Sequence, residues 1–282
     1  MIEGYNLSNG TMRKNIWPLA VIFIIMLLTS GCEDQAEFTL PSDFELKFRI
    51  ADTPVMDGKL IVRSIALNLG SIEIEGRRAV GEDVFMTRKY DDPRVIIIRP
   101  HFTTEAMDFN IPQGIYDRLL FQLKFQPDPE EEDLYDDFED WLEDMEEGEL
   151  EIDDLREDLG DIIEDYLEDV SPCLIMHAEY FKNNELYNVV FVINDPLSLN
   201  LVATNIFGER EVILDKKIIN RGEIVFDPSI WFSVVQSPVL ESSFYGVIDG
   251  DKYIFLHKRV NPLLFTTIYN RLDGSATFLI ND

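Results

Sequence analysis

The amino-acid sequence predicts a mainly β fold, in which a sandwich-like antiparallel domain is interrupted by an inserted acidic α-helical hairpin. Two observations support this prediction. Short runs of alternating or continuous apolar residues recur on both sides of the middle of the chain, as is typical of strands. Between them, residues 128–171 combine apolar side chains at helical spacing with a high density of carboxylates.

The composition of the chain limits both its fold and its function. Its 282 residues are 46% hydrophobic and 11% aromatic, enough for one large domain or two ordinary ones. The formal net charge is −30. Because binding nucleic acid through its phosphates requires clustered Lys and Arg, this charge argues against a nucleic-acid partner. The presence of only two cysteines excludes a scaffold held by several disulfides.

Residues 42–127 form the first part of the predicted β-domain. Residues 44–50 alternate apolar and polar side chains, the pattern of a half-buried strand. A longer strand is expected from Leu60 to Ile74, with a bulge or bend at Gly70. Further short strands are expected at Val84–Met86, Val95–Ile98, Met107–Ile111 and Tyr116–Phe125.

Residues 172–282 form the second part of the predicted domain and include two short helices. The apolar runs on either side of Asn183-Asn184 predict a β-hairpin. Asp227 is expected to cap a helix over 228–235, and Asn261 a helix over 262–271. The strands of this part are expected at Cys173–Phe181, Leu186–Ile193, Leu197–Ala203, Glu211–Leu214, Glu223–Phe226, Tyr253–Leu256 and Ala276–Ile280.

The inserted segment 128–171 is predicted to form two amphipathic helices, over 132–147 and 151–169. From Asp128 to Asp169 it carries 24 carboxylates and one basic side chain, so its net charge is −23. Repulsion between like charges opposes these helices, so we expect them to dock their apolar stripe on the β-domain or on another protein. The stripe consists of Leu134, Phe138, Trp141, Leu142, Met145, Ile152, Leu155, Leu159, Ile162 and Tyr166.

The acidic surface of this hairpin has three interpretations. It is a solvated face, a site of weak Ca²⁺ binding, or a site for a basic partner. Hard cations prefer oxygen ligands, but the sequence has no 12-residue EF-hand loop with its central Gly. The solvated face is the preferred interpretation, and no resident cofactor is expected.

Residues 1–31 are predicted to be a signal peptide. Arg13 and Lys14 precede an apolar run of 13 residues, 16–28. Spanning a bilayer takes roughly 20 apolar residues, so this run is too short for a mature transmembrane helix. Met12 is the expected initiator, because the residues before it fit no region of a signal peptide.

The end of this segment, Leu28-Thr29-Ser30-Gly31-Cys32, resembles the lipobox of bacterial lipoproteins. The resemblance implies acylation of Cys32, cleavage before it, and anchoring of the mature chain in a membrane by its lipid. Leu28 lies four residues before the cysteine, whereas the family usually places Leu three residues before it. The alternative is an ordinary signal peptide or an uncleaved anchor with an incidental cysteine.

Residues 32–41 are expected to be an acidic tether. Glu33-Asp34-Gln35-Ala36-Glu37 follows the lipidated cysteine and resembles the export signal of surface lipoproteins in one Gram-negative lineage. This resemblance implies a surface-exposed protein of the outer membrane, with a periplasm-facing orientation as the alternative. In its general layout the chain resembles uncharacterised sandwich lipoproteins of the Gram-negative cell envelope.

No sequence motif for catalysis is present, since the chain lacks a GxSxG elbow, a P-loop, GxGxxG and HExxH. The sequence therefore predicts that the protein is not an enzyme. His177 and Glu179 share one face of a predicted strand and, with a third ligand, could hold a soft or borderline metal. The alternative for His177 is a surface position or a core position with one hydrogen bond.

Other conspicuous residues have structural interpretations. Trp231 and Phe232 form either a sugar-stacking platform or the core anchor of a short helix, and the core anchor is preferred. Cys173 lies in an apolar run and is expected to be a buried, inert thiol. Scattered basic pairs such as Arg77-Arg78 are expected on the solvated surface.

The sequence therefore predicts a non-catalytic, lipid-anchored protein of the cell envelope that acts in binding, adhesion or assembly at the outer membrane. The alternative is a divalent-cation-binding or metal-carrier lipoprotein that uses the acidic hairpin, and a third hypothesis is a hydrolase with an unrecognised site. The ligand, protein or glycan, the orientation on the membrane and the oligomeric state stay open.

Overall fold

The computed structural model describes residues 40–127, 140–145, 151–169 and 172–281, without the side chains of 165–169. The chain divides into two compact units, Met1–Leu40 and Pro41–Asp282. The predicted signal peptide, Cys32 and the predicted tether up to residue 39 lie outside the described residues.

The second unit is built mainly from β-strands, as the sequence predicts. The strands are β1 (Pro41–Ile50), β2 (Leu60–Arg78), β3 (Val84–Ile98), β4 (Met107–Pro112), β5 (Gly114–Phe125), β6 (Leu174–Lys182), β7 (Glu185–Ile193), β8 (Leu197–Asn205), β9 (Val212–Leu214), β10 (Asn220–Phe226), β11 (Gly246–Ile248), β12 (Asp251–Leu256) and β13 (Ala276–Asn281). Strand β11 lies in a region where the sequence predicts none.

These strands form one curled sheet with the order β11-β12-β7-β6-β2-β5-β8-β13-β10-β1-β4, while β3 pairs with β2 and β9 with β5. The sheet is mixed, which corrects the prediction of an antiparallel domain. The pairs β1–β10, β12–β7 and β13–β8 are parallel. Parallel partners need long crossover connections, and local alternation of apolar residues carries no information about which distant strands pair.

The 19-residue strand β2 joins the two halves of the sheet. Its first half pairs with β6 and its second half with β5. The register shifts between Leu69 and Ser71, so the bulge predicted at Gly70 is confirmed. Opposite this point, the four residues 90–93 of β3 face one residue of β2. This irregularity explains why the sequence predicts two short strands where the structure has one.

Short turns and helices connect the strands. The predicted hairpin between β6 and β7 is confirmed, because Asn183 and Asn184 have φ of 51° and 68°, the left-handed pair of a type I′ turn. The described helical elements are a 3₁₀ turn (Met56–Gly58), α1 (140–145), α2 (Ile152–Asp169), α3 (Pro228–Trp231), α4 (Ser237–Glu241) and α5 (Pro262–Tyr269). Helix α4 has no counterpart in the sequence prediction.

The two predicted caps have different outcomes. The Asp227 carboxylate accepts a hydrogen bond from the Ser229 backbone N–H at 3.0 Å, as an N-cap does. Asn261 precedes α5 but makes no capping hydrogen bond. Its amide instead donates to the carbonyl oxygens of Phe244 and Phe255, which ties α5 to the neighbouring strand.

The main core fills the inside of the curled sheet. Phe121 of β5 lies 4.7 Å from Phe278 of β13 and 6.4 Å from Phe109 of β4, between ring centroids. Phe44 of β1 lies 5.8 Å from the same ring. All four rings are buried. Strands distant in sequence are therefore fixed around one aromatic cluster, which stabilises the curl.

A second apolar cluster lies on the outer side of β7 and β12, where α1 and α2 pack. It contains Trp141, Leu155, Leu159, Ile162, Ile163, Val190, Val192 and Phe255. The Trp141 indole N–H donates to the Leu155 carbonyl oxygen at 3.0 Å, which joins the two helices. A Cβ on Gly160 would collide with the Val247 carbonyl oxygen, so α2 touches the backbone of β11. Of the described residues of the predicted stripe, Trp141, Leu155, Leu159 and Ile162 therefore dock on the sheet, whereas Met145 and Ile152 are exposed. The connection over 146–150 lies outside the described residues.

Candidate functional site

The candidate site is the outer face of β3, β2, β5 and β8, here called the polar face. On β5, Leu119, Phe121 and Leu123 point into the main core and are fully buried. Successive side chains of a strand point to opposite sides, so Leu120, Gln122 and Lys124 point outward. The polar face is thus the side of these four strands that points away from the main core.

Strand register arranges the polar face in three rows. The rows are Phe85–Glu75–Leu120–Val202, Thr87–Glu73–Gln122–Asn200 and Lys89–Ser71–Lys124–Ser198, each read from β3 to β8. The second and third rows consist only of hydrogen-bonding side chains, which include amides, a carboxylate, hydroxyls and ammonium groups. This regular spacing offers a ligand donors and acceptors at fixed positions.

Contacts within the polar face hold several of these side chains in place. The Gln122 amide donates to the Asn200 amide oxygen at 3.0 Å. Lys124 binds the Glu73 carboxylate at 2.6 Å. The Phe85 ring, in contrast, is 73% exposed and has Glu75 as its cross-strand neighbour. An aromatic ring therefore stands open to solvent beside ordered polar groups.

Two cavities lie along the polar face and share Glu75. The first has a volume of about 280 Å³ and is lined by Glu73, Ile74, Glu75, Phe85, Met86, Thr87, Leu120, Gln122 and Asn200. The second has a volume of about 320 Å³ and is lined by Glu75, Gly76, Arg77, Asp83, Asp117, Arg118 and Arg210. Small-molecule sites usually begin at about 300 Å³, so the two cavities together suit a ligand of two or more units.

Buried residues beneath the second cavity fix its floor. A Cβ on Gly76 would collide with the ring of Tyr116, which is fully buried and donates its hydroxyl to the Pro112 carbonyl oxygen at 2.5 Å. Burial raises the pKa of Tyr116 to about 12, although the nearby charge of Arg78 opposes this shift. The neutral phenol is therefore a structural donor throughout the physiological pH range.

The Arg77-Arg78 pair, expected on the solvated surface, divides between two environments. Arg77 is exposed and lines the second cavity. Arg78 is buried, which corrects the expectation for that residue. Its Nε donates to the Glu82 carbonyl oxygen and its backbone N–H to the Asp83 carboxylate. Adjacent residues of a strand point to opposite sides, and this alternation explains the difference.

The structure places the predicted metal ligands His177 and Glu179 on one face of β6. Glu179 binds the guanidinium group of Arg63, whose hydrogen bond and charge lower the pKa of that carboxyl group. Burial lowers the pKa of His177. Within the described ranges, no three His, Cys, Asp or Glu side chains gather closely enough to hold a metal ion. A metal site at these two residues stays a prediction.

The described acidic side chains of α1 and α2 face away from the apolar cluster. Partial burial raises the pKa of Asp158, and the carboxylates of Asp161, Asp154 and Asp144 raise it further. Asp144 belongs to α1 and the others to α2, so carboxylates from both helices crowd together. Arg156 offsets some of this charge, because it pairs with Asp153 at 3.0 Å and lies over the Tyr245 ring at 4.3 Å.

Three other candidates of the sequence analysis occupy the core. Trp231 and Phe232 are buried, and the Trp231 indole donates to the Ser275 hydroxyl at 2.6 Å, so the core interpretation is confirmed over the sugar-stacking platform. Cys173 is also buried, and its thiol donates to the Asn194 carbonyl oxygen.

Among the described residues, no helix is both long and apolar enough to cross a membrane.

The polar face was missed by the sequence analysis, although β2 carries a signal for it. Glu73, Glu75 and Arg77 alternate with buried residues, which marks an exposed face. What the sequence could not supply is the identity of the flanking strands. Comparison with protein-family models, with curated proteins and with solved structures finds no match for this chain.

Proposed function

We propose that this chain is a non-catalytic, lipid-anchored binding protein of the bacterial cell envelope, and that the polar face is its binding surface. One observation carries the binding role: strand register sets rows of hydrogen-bonding side chains, beside two adjoining cavities, on an outer sheet face that no described helix covers. Ligand sites typically combine such fixed polar groups with an exposed aromatic ring.

The anchoring part of the proposal comes from the lipobox-like residues that end in Cys32. Acylation there would tether the β-domain to the outer membrane, with the surface of the cell as the proposed orientation. We further propose that the two halves of the curled sheet pack as a sandwich, and that α1 and α2 are the arms of one inserted hairpin. In this arrangement the hairpin covers β7 and β12 and leaves the polar face open.

The binding role is tested by probing an array of immobilised glycans with the full chain, purified in detergent. Gln122→Ala combined with Asn200→Ala, and separately Phe85→Ser, should lower binding at least tenfold. Phe207→Ser is the matched control, because this ring is 80% exposed but lies outside the polar face. Binding that survives both polar-face variants would contradict the proposal.

The anchor has its own test. Expression in a Gram-negative host with radiolabelled palmitate should label the wild-type chain in the membrane fraction, and Cys32→Ser should remove the label and release the protein. A wild-type chain that takes up no label would contradict lipidation without bearing on the polar face.

The alternative function is binding of divalent cations by the acidic helices. The crowding that raises the pKa of Asp158 is the observation in its favour, since a cation would relieve this repulsion. Titration with Ca²⁺ at about 0.15 M salt separates the two functions. Saturable heat with a gain of helix would support this alternative, whereas helicity that follows ionic strength alone would indicate simple screening.

A further inference from the structure

The second cavity of the polar face is lined by three arginines, Arg77, Arg118 and Arg210, here called the arginine cluster. Arg77 and Arg118 are directly opposite each other on neighbouring strands. Like charges in this position destabilise a sheet. Three carboxylates also line the cavity, yet none of the described acidic groups comes within 4.0 Å of these guanidinium groups.

The three guanidinium groups make no ion pair with a described acidic group, so their N–H donors can be offered to an anion in this cavity. Each presents a planar fork of N–H donors that matches a carboxylate or a sulfate. The overall charge of −30 opposes an anionic ligand only weakly, because −23 of it belongs to the segment 128–169. The described helices of that segment pack on β7, β11 and β12, and charges more than about 8 Å apart are largely screened at physiological salt.

The first cavity, which shares Glu75 with the second cavity, has the chemistry of a site for a neutral sugar ring. The Gln122–Asn200 amide pair and Glu75 offer donors and acceptors to hydroxyl groups. The exposed ring of Phe85 offers an apolar surface to the C–H face of a pyranose. An anion site and a sugar-ring site therefore adjoin.

We propose that the polar face binds an acidic saccharide. The carboxylate of a uronic acid is held by Arg77, Arg118 and Arg210, and the adjoining sugar ring lies against Phe85 with its hydroxyls on the amides of Gln122 and Asn200. This inference rests on the proposed binding role of the polar face and names the class of ligand.

The probes for this inference are a tetramer of α-1,4-linked galacturonic acid and its fully methyl-esterified form, which has the same length and no charge. Titration calorimetry with the full chain in detergent should show the acid form binding at least tenfold more tightly. Arg77→Gln and Arg118→Gln should each weaken binding of the acid form about tenfold. Arg99→Gln, which removes an exposed charge outside the cluster, should leave binding unchanged.

The remaining outcomes separate this inference from the function on which it rests. Equal binding of both tetramers, lost in Phe85→Ser, would overturn the acidic ligand and leave the binding face in place. If neither tetramer binds but array binding still depends on Gln122 and Asn200, the acidic ligand would likewise be overturned and the binding face would remain. A poly-glutamate peptide that binds as tightly as the acid tetramer would overturn the saccharide. If no array ligand depends on the polar face, both proposals fail.

Discussion

The outer face of β7 and β12 and the outer face of β2 and β5 belong to one sheet but have opposite surroundings. On β7, Val190 and Val192 are buried beneath α1 and α2. On β5, the corresponding outward positions hold Gln122 and Lys124 and have no helix over them among the described residues. A strand covered on both sides needs apolar residues at every position, whereas a strand covered on one side needs them only at alternate positions. The contrast fits a stabilising role for the covered half and agrees with the proposed binding role of the open half.

The largest effect on stability is expected from removing a buried side chain that anchors α1 to the covered face. Trp141→Ala should lower the free energy of unfolding by about 3–5 kcal/mol, because it deletes a buried indole and its hydrogen bond to Leu155. Urea unfolding measures this difference. Met145→Ala, on the same helix but 39% exposed, is the control and should cost less than about 0.5 kcal/mol. A loss below 1 kcal/mol for Trp141→Ala would break the assignment of the helices to stability.

The second effect concerns His257, which stacks on Phe255 of the second apolar cluster at 5.5 Å between ring centroids. Burial, with the charges of Lys258 and Arg259, lowers its pKa from 6.5 to about 4. The unfolded chain therefore takes up a proton below pH 6.5 that the folded chain does not. The contribution of His257 to the free energy of unfolding is therefore fully present above pH 6.5 and is lost as the pH falls towards 4.

This loss should amount to about 2 kcal/mol between pH 8 and pH 5. Urea midpoints of the wild type and of His257→Asn, measured across that range, isolate it, since all other groups titrate alike in both chains. The variant should be less stable at pH 8 and should lose less stability on acidification. Parallel pH curves would show that the pKa of His257 is the same in the folded and in the unfolded chain.

A smaller effect of opposite sign is expected at Asp158. Its raised pKa means that the folded chain binds a proton more readily than the unfolded chain, so stability from this group rises as the pH falls. Asp158→Asn should stabilise the protein by a few tenths of a kcal/mol at pH 7 and low salt, through relief of repulsion from Asp154 and Asp161. The gain should vanish at 0.5 M salt. A gain that persists there would point to a cause other than charge.

The smallest effect on stability is expected for substitutions on the polar face. Gln122→Ala and Asn200→Ala should each change the free energy of unfolding by less than about 0.5 kcal/mol, because both side chains lie at the surface. The same variants are expected to lose ligand. A large loss of stability would show that the polar face supports the fold and would weaken its assignment to binding.

The same contrast explains how much of the molecule is predictable from its sequence. The bulge at Gly70, the hairpin at Asn183-Asn184 and the cap at Asp227 follow from local chemistry, because glycine, asparagine and aspartate favour those backbone geometries. The mixed sheet does not follow from local chemistry, since the strand partners of β1 and β13 are fixed by contacts in the shared main core.

The polar face shows the same limit for the site. Alternation in β2 predicts an exposed side, but Arg118 and Arg210 come near Arg77 only through tertiary structure. The prediction for His177 and Glu179 failed to anticipate the guanidinium group of Arg63 on the neighbouring strand for a similar reason. A cluster whose residues come from two separate strands and one loop has no fixed sequence spacing by which it could be predicted.

The pairing of β1 with β10 also constrains how this chain can be made and cut. Phe44 is paired with Asn220, and β10 in turn pairs with β13 at the end of the described chain. The sheet therefore closes only after nearly all of the chain is available, and folds with such high contact order form slowly. By the same logic, a fragment that ends before Asn220 leaves β1 without its parallel partner, so shortened versions for crystallisation or display should keep both termini of the second unit.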